Sequence, residues 1–239
     1  MPKKAMLLAA GLGQRMRPVT DTIPKPLVKI GGKSLIDWTL DSLAGVGIGE
    51  AIVNVHYLAP LLVRHLSGRM SPRVVISDET ERLLDTGGGV AKALPLLGTE
   101  AFFVCNCDAI IIDGAVPALR RIASAWNDGL DVLMLAHPRE TAHGFDGAGD
   151  FFIDGEGRMT RRGSAATAPF VYAGLFIIHP RAFAGTKPEP FSLNRVWDTA
   201  IAAGRMRALI HDGQWFHVGT PDSIGETEAL LMQGRQAAL

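Results

Sequence analysis

Short apolar runs of strand-forming residues alternate with amphipathic segments throughout the first half of the chain. The apolar runs cover residues 4–10, 51–55, 74–77, 101–105 and 131–136, and the amphipathic segments cover residues 34–46, 58–66, 88–94 and 115–126. This alternation is typical of a parallel sheet with helices on both faces. Because 47% of the 239 residues are hydrophobic, such a sheet can be buried in a continuous core. We therefore predict an α/β, Rossmann-like fold with a mostly parallel mixed sheet.

The pattern changes from about residue 143 onwards. Residues 149–153 and 157–160 flank the turn Asp154-Gly155-Glu156, which predicts a β-hairpin, a small β-rich insertion over the sheet. Further strands are predicted at residues 170–179, 206–210 and 215–218, and further helices at 193–203 and 221–232. The sequence has no internal repeat, low-complexity tract or linker. We expect one domain spanning residues 1–239.

Charge and cysteine content exclude several kinds of partner. The 24 Lys and Arg residues balance the 24 Asp and Glu residues, so no positive field is available to collect nucleic acid or an anionic membrane. Cys105 and Cys107 lie one residue apart in an apolar run, which disfavours a disulfide framework and suits a reducing compartment. No apolar stretch approaches the length of a membrane span, and the first one is too short for a signal peptide. We expect a cytoplasmic protein with small-molecule partners.

A glycine-rich segment, Leu-Ala-Ala-Gly-Leu-Gly-Gln-Arg-Met-Arg-Pro at residues 8–18, directly follows the first predicted strand. Gly11 and Gly13 let a backbone approach phosphate closely and turn successive N–H groups into one anion-binding concavity, to which Arg15 adds charge. A dinucleotide-binding fingerprint would need a third glycine where this chain has Met16. A tight strand-to-helix turn without a ligand is the alternative interpretation.

A lysine held between two prolines follows in the same loop, in Pro24-Lys25-Pro26-Leu27. Proline restricts its own backbone and that of the preceding residue, so Lys25 has little of the freedom of an ordinary surface lysine. The later Gly-Gly-Lys-Ser at residues 31–34 resembles the end of a P-loop, but Leu27 stands where the first P-loop glycine would be. We predict a turn there, with Ser34 capping the next helix.

These two segments together resemble the signature of the sugar-phosphate nucleotidylyltransferases, a branch of the GT-A-like α/β fold. Further motifs of that family follow in order along nearly the whole chain: Asp85-Thr86-Gly87-Gly88-Gly89, Asn106-Cys107-Asp108, Gly149-Asp150-Phe151 and Trp215-Phe216-His217-Val218-Gly219-Thr220. The short length and the triple glycine look most like the N-acetylmuramate 1-phosphate uridylyltransferases of bacterial cell-wall recycling.

The resemblance implies an enzyme that condenses a nucleoside triphosphate with a sugar 1-phosphate to give a nucleotide sugar and pyrophosphate. UTP and N-acetylmuramate 1-phosphate are the expected pair. Residues 1–136 would form the nucleotide-binding half, and residues 137–239, with the hairpin as a substrate-side insertion, would form the sugar-phosphate half. The C-terminal β-helix of bifunctional relatives does not follow the last predicted helix, so we expect a monomer or a homodimer.

The resemblance also implies roles for individual residues. The expected nucleotide-binding residues are Ala10, Gly11, Gly13, Gln14, Arg15, Lys25, Glu79, Gly87 and Gly88. Among these, Lys25 would reach the α-phosphate, and the glycines before the 88–94 helix would meet the base through exposed N–H groups, unless they form only a flexible loop. The expected acceptor-binding residues are Asn106, Asp150 and Gly174, and the expected catalytic residues are Arg15, Lys25 and Asp108.

A divalent metal ion is expected at Asp108 and His217. Asp108 follows the strand at 101–105, at the edge where open α/β sheets bind ligands, and its carboxylate suits Mg²⁺. A cap on the next turn is the alternative role. His217 stands where the family usually carries a second metal-binding aspartate. Its softer imidazole would let Mn²⁺ compete with Mg²⁺, although a hydrogen bond to phosphate or a structural role would also fit.

Two other functions remain open at this level. One is the same reaction with a different pair, such as GTP with mannose 1-phosphate or CTP with an alcohol phosphate. The other is a nucleotide-binding regulator without catalysis, for which His217 is the only argument. The joint presence of Gly13, Arg15, Lys25 and Asp108 argues against a regulator, because binding alone needs no lysine at the transfer site.

Overall fold

The computed structural model describes residues 1–236 and contains, over that range, six α-helices and thirteen strands. The strands are β1 (Lys4–Leu8), β2 (Lys29–Ile30), β3 (Lys33–Ser34), β4 (Glu50–Val55), β5 (Arg73–Asp78), β6 (Phe102–Asn106), β7 (Ala109–Ile112), β8 (Val132–Pro138), β9 (Phe151–Ile153), β10 (Met159–Arg161), β11 (Phe170–Ile178), β12 (Met206–Ile210) and β13 (Gln214–His217). The helices are α1 (Leu35–Gly45), α2 (Ala59–Leu66), α3 (Asp85–Leu97), α4 (Ala118–Ala125), α5 (Asn194–Ala202) and α6 (Asp222–Gln236).

A mixed sheet of nine strands lies at the centre of the described chain. Its order is β10-β9-β11-β6-β1-β4-β5, with β8 beside β11 and β12 beside β8. Strands β1, β4, β5 and β6 are parallel to one another, whereas β11 is antiparallel to β6, β8 and β9. The predicted fold class is therefore confirmed, because most strands run one way and the long strand β11 makes the sheet mixed.

Helices cover both faces of this sheet, as predicted. Side chains alternate along β1, so Ala5 and Leu7 join one core cluster while Met6 joins the other. Helices α1, α2 and α4 pack on the first face, for example through Leu40, and α3 and α5 pack on the second, for example through Val90. The two layers position the carboxyl ends of β1, β4 and β6 along one edge of the sheet.

Two local features follow the sequence closely. The hydroxyl of Ser34 accepts a hydrogen bond from the N–H of Asp37, which caps α1 as predicted. The predicted hairpin is formed by β9 and β10 at one edge of the sheet. In the part of the chain that the structure describes, no helix combines the length and the apolar character that a membrane crossing requires.

Two of the differences from the sequence prediction lie close to the predicted site. Strand β7 was not predicted, and it pairs with β13 in a separate antiparallel ribbon. Helix α3 begins at Asp85, three positions before the predicted start at residue 88, so the triple glycine lies inside its first turns. Both differences change the surroundings of the predicted site.

Candidate active site

The loop after β1 leaves backbone donors free. The N–H groups of Gly11, Leu12 and Gly13 donate to no protein acceptor within residues 1–236. Gly13 has a φ of 63°, and a Cβ atom there would lie 3.0 Å from Thr20 Cγ2 and 3.3 Å from Lys25 Cβ. Glycine is therefore required at this position, both for the left-handed backbone and for the close approach of the lysine. The free N–H groups form a surface suited to phosphate.

Lys25 and Asp108 meet at the base of this loop. Lys25 Nζ donates to Asp108 Oδ2 at 3.0 Å, and the two side chains are 14% and 28% exposed. The lysine begins a short 3-10 turn over Lys25–Leu27, which is preceded by an extended Pro24. Two motifs separated by 83 residues in sequence thus present a cation and an anion at the same point.

The ribbon of β7 and β13 places His217 beside this pair. Within it His217 lies opposite Ala109, and the N–H of Val218 donates to the carbonyl oxygen of Asp108 at 2.9 Å. Arg15 lies nearby, because a Cβ atom on Gly219 would be 2.6 Å from His217 Nε2 and 3.6 Å from Arg15 Nη1. The structure therefore gathers the three expected catalytic residues and the expected histidine.

The charges at this point influence one another. Burial alone would raise the pKa of Asp108, but Lys25, His217 and Arg15 together outweigh burial and hold that pKa below its usual value. Burial lowers the pKa of His217; Asp108 partly opposes this, and Lys25 and Arg15 reinforce it. At neutral pH the pair is therefore an ionised carboxylate beside a neutral imidazole, both of which can donate electron pairs to a metal.

A cleft of about 290 Å³ opens above Lys25 and Asp108. Ala10, Gly11 and Gly13 line one side of it, and Asp85 and Thr86 at the start of α3 line the other. Gln14 and Arg15 do not line the cleft; both are exposed in the short 3-10 segment that follows the loop.

Glu79 lies behind this cleft and does not line it. Its carboxylate is 1% exposed and accepts hydrogen bonds from Asn54 Nδ2 at 2.8 Å and from the N–H of Leu84 at 3.1 Å. Asn54 Oδ1 in turn accepts from the N–H of Ala9 at 2.7 Å. The expected contact between Glu79 and the nucleotide is therefore wrong. Through these hydrogen bonds the carboxylate links the end of β4 and the loop after β1 to the start of α3, and it holds that loop in place.

The expectation of exposed N–H groups at Gly87 and Gly88 is also wrong. Both glycines are buried, and both N–H groups donate to the carbonyl oxygen of Phe191, at 2.8 Å and 3.1 Å. A Cβ atom at Gly87 would overlap the ring of Phe191, and one at Gly88 would overlap the carbonyl oxygen of Glu189. Only glycine fits at these two positions, because the segment at residues 189–191 packs directly on helix α3.

A second cavity of about 360 Å³ adjoins the first. The two share one wall, formed by Leu8, Asp85, Thr86 and Asn106. Asp150, an expected acceptor-binding residue, lines the second cavity, where its Oδ2 accepts from the N–H of Tyr172 at 2.9 Å. The arrangement can hold two ligands that meet at the shared wall.

Gly174 does not line the second cavity. It lies in β11 with a φ of 84°, and a Cβ atom there would be 3.4 Å from Asn106 Cβ and 3.6 Å from Ala109 Cβ. It borders a separate narrow crevice of about 40 Å³ instead. The acceptor contact of Gly174 stays a prediction; in the structure this glycine packs behind Asn106, which itself lines the second cavity.

The donor set at this point fits a magnesium ion that also binds substrate phosphates. Within the described residues, no group of three or more His, Cys, Asp or Glu side chains is arranged to hold a metal by itself. Mg²⁺ commonly uses one or two carboxylates together with phosphate oxygens and water, so a single carboxylate such as that of Asp108 would be enough on the protein side. Cys107 is an unsuitable ligand, because burial raises the pKa of its thiol well above the usual value.

Sequence reasoning missed several residues that line or support the two cavities. They are Asn54, Leu83, Thr86, Arg161, Ser192, Asn194 and Trp197. Asn54 carried a detectable signal, because it is a polar residue inside an otherwise apolar strand. Arg161 and Trp197 carried none, since their contact depends on how the hairpin packs on α5.

Comparison with known proteins agrees with this geometry. Residues 4–161 match the family described as nucleotidyl transferase. The N-acetylmuramate alpha-1-phosphate uridylyltransferase of Caulobacter vibrioides is 44% identical over 238 residues, which cover 97% of this chain and 98% of the relative. The protein of the same name from Neisseria meningitidis serogroup B is 33% identical over 232 residues, covering 95% and 97%.

A solved structure shares the fold. The structure of UDP-glucose pyrophosphorylase complexed with UDP-glucose superimposes with a TM-score of 0.81 at 18% sequence identity, covering 98% of this chain and 100% of that chain. The family model and the two relatives confirm the family resemblance derived from the motifs. The site described above therefore lies in an enzyme, and it consists of the loop with free N–H groups, the Lys25–Asp108 pair and the two adjoining cavities. This chain belongs to the nucleotidyl transferase family.

Proposed function

We propose that this enzyme transfers the uridylyl group of UTP to N-acetylmuramate 1-phosphate, releasing pyrophosphate. The observation that carries the proposal is the shared wall between two cavities, beside which Lys25 Nζ and Asp108 Oδ2 lie 3.0 Å apart. The Caulobacter and Neisseria relatives, which span nearly the whole chain, support the choice of base and sugar.

The reaction joins two polyanions, so charge neutralisation and alignment are the main tasks of the protein. An oxygen of the sugar phosphate forms a bond to the α-phosphorus, the bond from that phosphorus to the bridging oxygen breaks, and pyrophosphate leaves. No nucleophilic side chain is needed. The free N–H groups at residues 11–13 would bind the triphosphate, and Lys25 would stabilise the negative charge that grows at the α-phosphate.

We propose Mg²⁺ as the cofactor, with Mn²⁺ as a substitute. Asp108 would hold the ion and His217 would be the neighbouring donor, because the β7–β13 ribbon fixes these two positions side by side. When bound, the ion would offset phosphate charge. Lys25 now pairs with Asp108, and its ammonium group would exchange that carboxylate for a phosphate oxygen when substrate arrives.

We also propose a cytoplasmic location and a monomeric or homodimeric state. Cys105 and Cys107 are buried free thiols, and burial raises the pKa of Cys105 to about 12. Unpaired cysteines support a reducing compartment, which is also where nucleoside triphosphates are available.

The test is a matrix of pyrophosphate-release assays. UTP, GTP, CTP and TTP are each combined with N-acetylmuramate, N-acetylglucosamine, glucose and mannose 1-phosphates, with Mg²⁺, Mn²⁺ or a chelator. We expect the highest kcat/KM with UTP and N-acetylmuramate 1-phosphate and no turnover with chelator. A higher kcat/KM for another pair would reassign the substrates. Binding of UTP without release from any pair would favour a regulator, and undiminished turnover with chelator would refute the metal proposal.

A further inference from the structure

Under the proposed function, the cleft of about 290 Å³ would hold the nucleotide and the second cavity, of about 360 Å³, would hold the acceptor; they are called the nucleotide cleft and the acceptor cavity below. The acceptor cavity contains a cationic side chain that the transfer step does not use. Arg161, at the end of β10, lines this cavity but not the nucleotide cleft. The phosphate of the acceptor must reach the shared wall, because Lys25 and Asp108 lie on the nucleotide side of it. Arg161 is therefore placed to meet a different part of the acceptor.

Aromatic rings and an aspartate hold this guanidinium in one orientation. It lies 4.9 Å from the ring centroid of Phe151 and 5.7 Å from that of Trp197. Its Nε donates to Asp198 Oδ1 at 2.8 Å, and its Nη2 makes a long contact of 3.4 Å with the carbonyl oxygen of Asn194. Within residues 1–236 its Nη1 has no hydrogen-bond acceptor. The side chain is 31% exposed, so a ligand can reach it.

The carboxylates that line the same cavity do not neutralise Arg161. Asp150 Oδ2 accepts from the N–H of Tyr172 at 2.9 Å, and Asp85 Oδ1 accepts from the N–H of Thr86 at 2.5 Å. Neither forms an ion pair with Arg161 in the described part of the chain; its ion pair there is with Asp198, which does not line the cavity and whose side chain is 60% exposed. That pair engages Nε, so the cavity offers a guanidinium that is held in place with Nη1 free for a ligand, beside carboxylates that suit sugar hydroxyls.

We propose that Arg161 binds a carboxylate on the acceptor and so selects a carboxylate-bearing sugar phosphate over a neutral one. This inference rests on the proposed function, since N-acetylmuramate differs from N-acetylglucosamine by the lactyl ether that carries its carboxylate. The planar guanidinium matches a carboxylate in shape and charge, and its contacts with Phe151, Trp197 and Asp198 orient it before the ligand arrives.

The test combines a protein change with a matching ligand change. Arg161→Gln, Arg161→Lys and the control Arg158→Gln are compared with the unmodified enzyme. Arg158 lies on the same hairpin and does not line the acceptor cavity, and within residues 1–236 its ion pairs are with the exposed acids Asp154 and Glu156 alone. The acceptors are N-acetylmuramate 1-phosphate, its lactyl carboxamide and N-acetylglucosamine 1-phosphate, each with UTP and Mg²⁺, and pyrophosphate release gives KM and kcat separately.

We expect Arg161→Gln to raise KM for N-acetylmuramate 1-phosphate about 10- to 100-fold, as loss of a hydrogen-bonded charge pair does, with a smaller change in kcat. The increase for the carboxamide and for the neutral sugar should be much smaller. Arg161→Lys should recover part of the loss, and Arg158→Gln should behave like the unmodified enzyme.

The outcomes separate this inference from the proposed function. If the unmodified enzyme uses N-acetylmuramate 1-phosphate but Arg161→Gln raises KM equally for charged and neutral acceptors, Arg161 only supports the cavity and the inference fails while the proposed function stands. An unmodified enzyme that prefers the carboxamide would also overturn it. If the enzyme uses no N-acetylmuramate 1-phosphate, the proposed function fails, and the inference fails with it.

Discussion

Replacing Gly88 by alanine tests whether the triple glycine packs against the protein or contacts the nucleobase. A Cβ atom at Gly88 would overlap the carbonyl oxygen of Glu189 and lie 3.0 Å from its carbonyl carbon. A carbon and an oxygen in contact lie about 3.3–3.6 Å apart, and this oxygen would be only 2.1 Å away, so the backbone of the 189–191 segment would have to move by roughly 1 Å or more. That movement would also disturb the hydrogen bond from the Gly88 N–H to Phe191.

The cost follows from these contacts. Overpacking of this kind costs about 1–3 kcal/mol, and a weakened hydrogen bond adds about 1 kcal/mol. The higher helix propensity of alanine relative to glycine offsets about 1 kcal/mol of this loss in the free energy of unfolding. We therefore expect a net loss of about 1–3 kcal/mol in the free energy of unfolding, which for a chain of this size lowers Tm by about 2–12 °C.

The assay is thermal unfolding followed by steady-state kinetics, with Gly11→Ala as the matched control. No heavy atom lies within 4 Å of a Cβ atom at Gly11, which lines the nucleotide cleft. That variant should keep its Tm, and a methyl group where phosphate must approach should raise KM for UTP by about tenfold or more. If Gly88→Ala kept its Tm and raised KM for UTP as Gly11→Ala does, the packing argument would be refuted.

Three further predictions concern the charged site and the buried histidines. Lys25→Met should lower kcat about 100-fold or more with the fold retained by circular dichroism, and near-normal kcat would exclude a catalytic lysine. His217→Asp should preserve or raise activity with Mg²⁺ if this position ligates the ion, and a large loss in the same assay would contradict ligation. Burial lowers the pKa of His137, whose ring lies next to that of His211. Below about pH 6.5 this histidine therefore binds a proton more readily in the unfolded chain than in the folded chain. Tm should therefore fall as the pH drops from 7.5 to 5.5, and His137→Phe should flatten that decline; an equal slope in both proteins would show that other groups cause it.

Much of the fold could be predicted because its signals are local. Alternation of strand and helix patterns fixed the layers, and the position of Asp108 after an apolar strand indicated the edge of the sheet where it meets Lys25. Strand β7 could not be predicted, because its four residues directly follow Asp108 and their partner strand lies about a hundred residues later. A short apolar run gives no sign of a distant partner.

The errors at the site have a common physical cause. Glu79 follows a strand, as a ligand-binding carboxylate would. Its carboxylate is nevertheless buried, because it accepts a hydrogen bond from Asn54 on the neighbouring strand. Gly87 and Gly88 suit either a ligand or a close packing partner, and the segment that packs on them lies about a hundred residues further along the chain. Burial of a polar residue is decided by neighbours in space, which spacing along one chain does not reveal.

The ribbon of β7 and β13 makes the site sensitive to strand register. Successive side chains of a strand point to opposite sides, so inserting one residue at the start of β13 would place Phe216, instead of His217, opposite Ala109. A benzyl ring would then stand next to Asp108, and the imidazole would turn into the apolar layer beneath. Variation in length is therefore far less tolerable between residues 213 and 218 than in a surface loop, even where every residue type is kept.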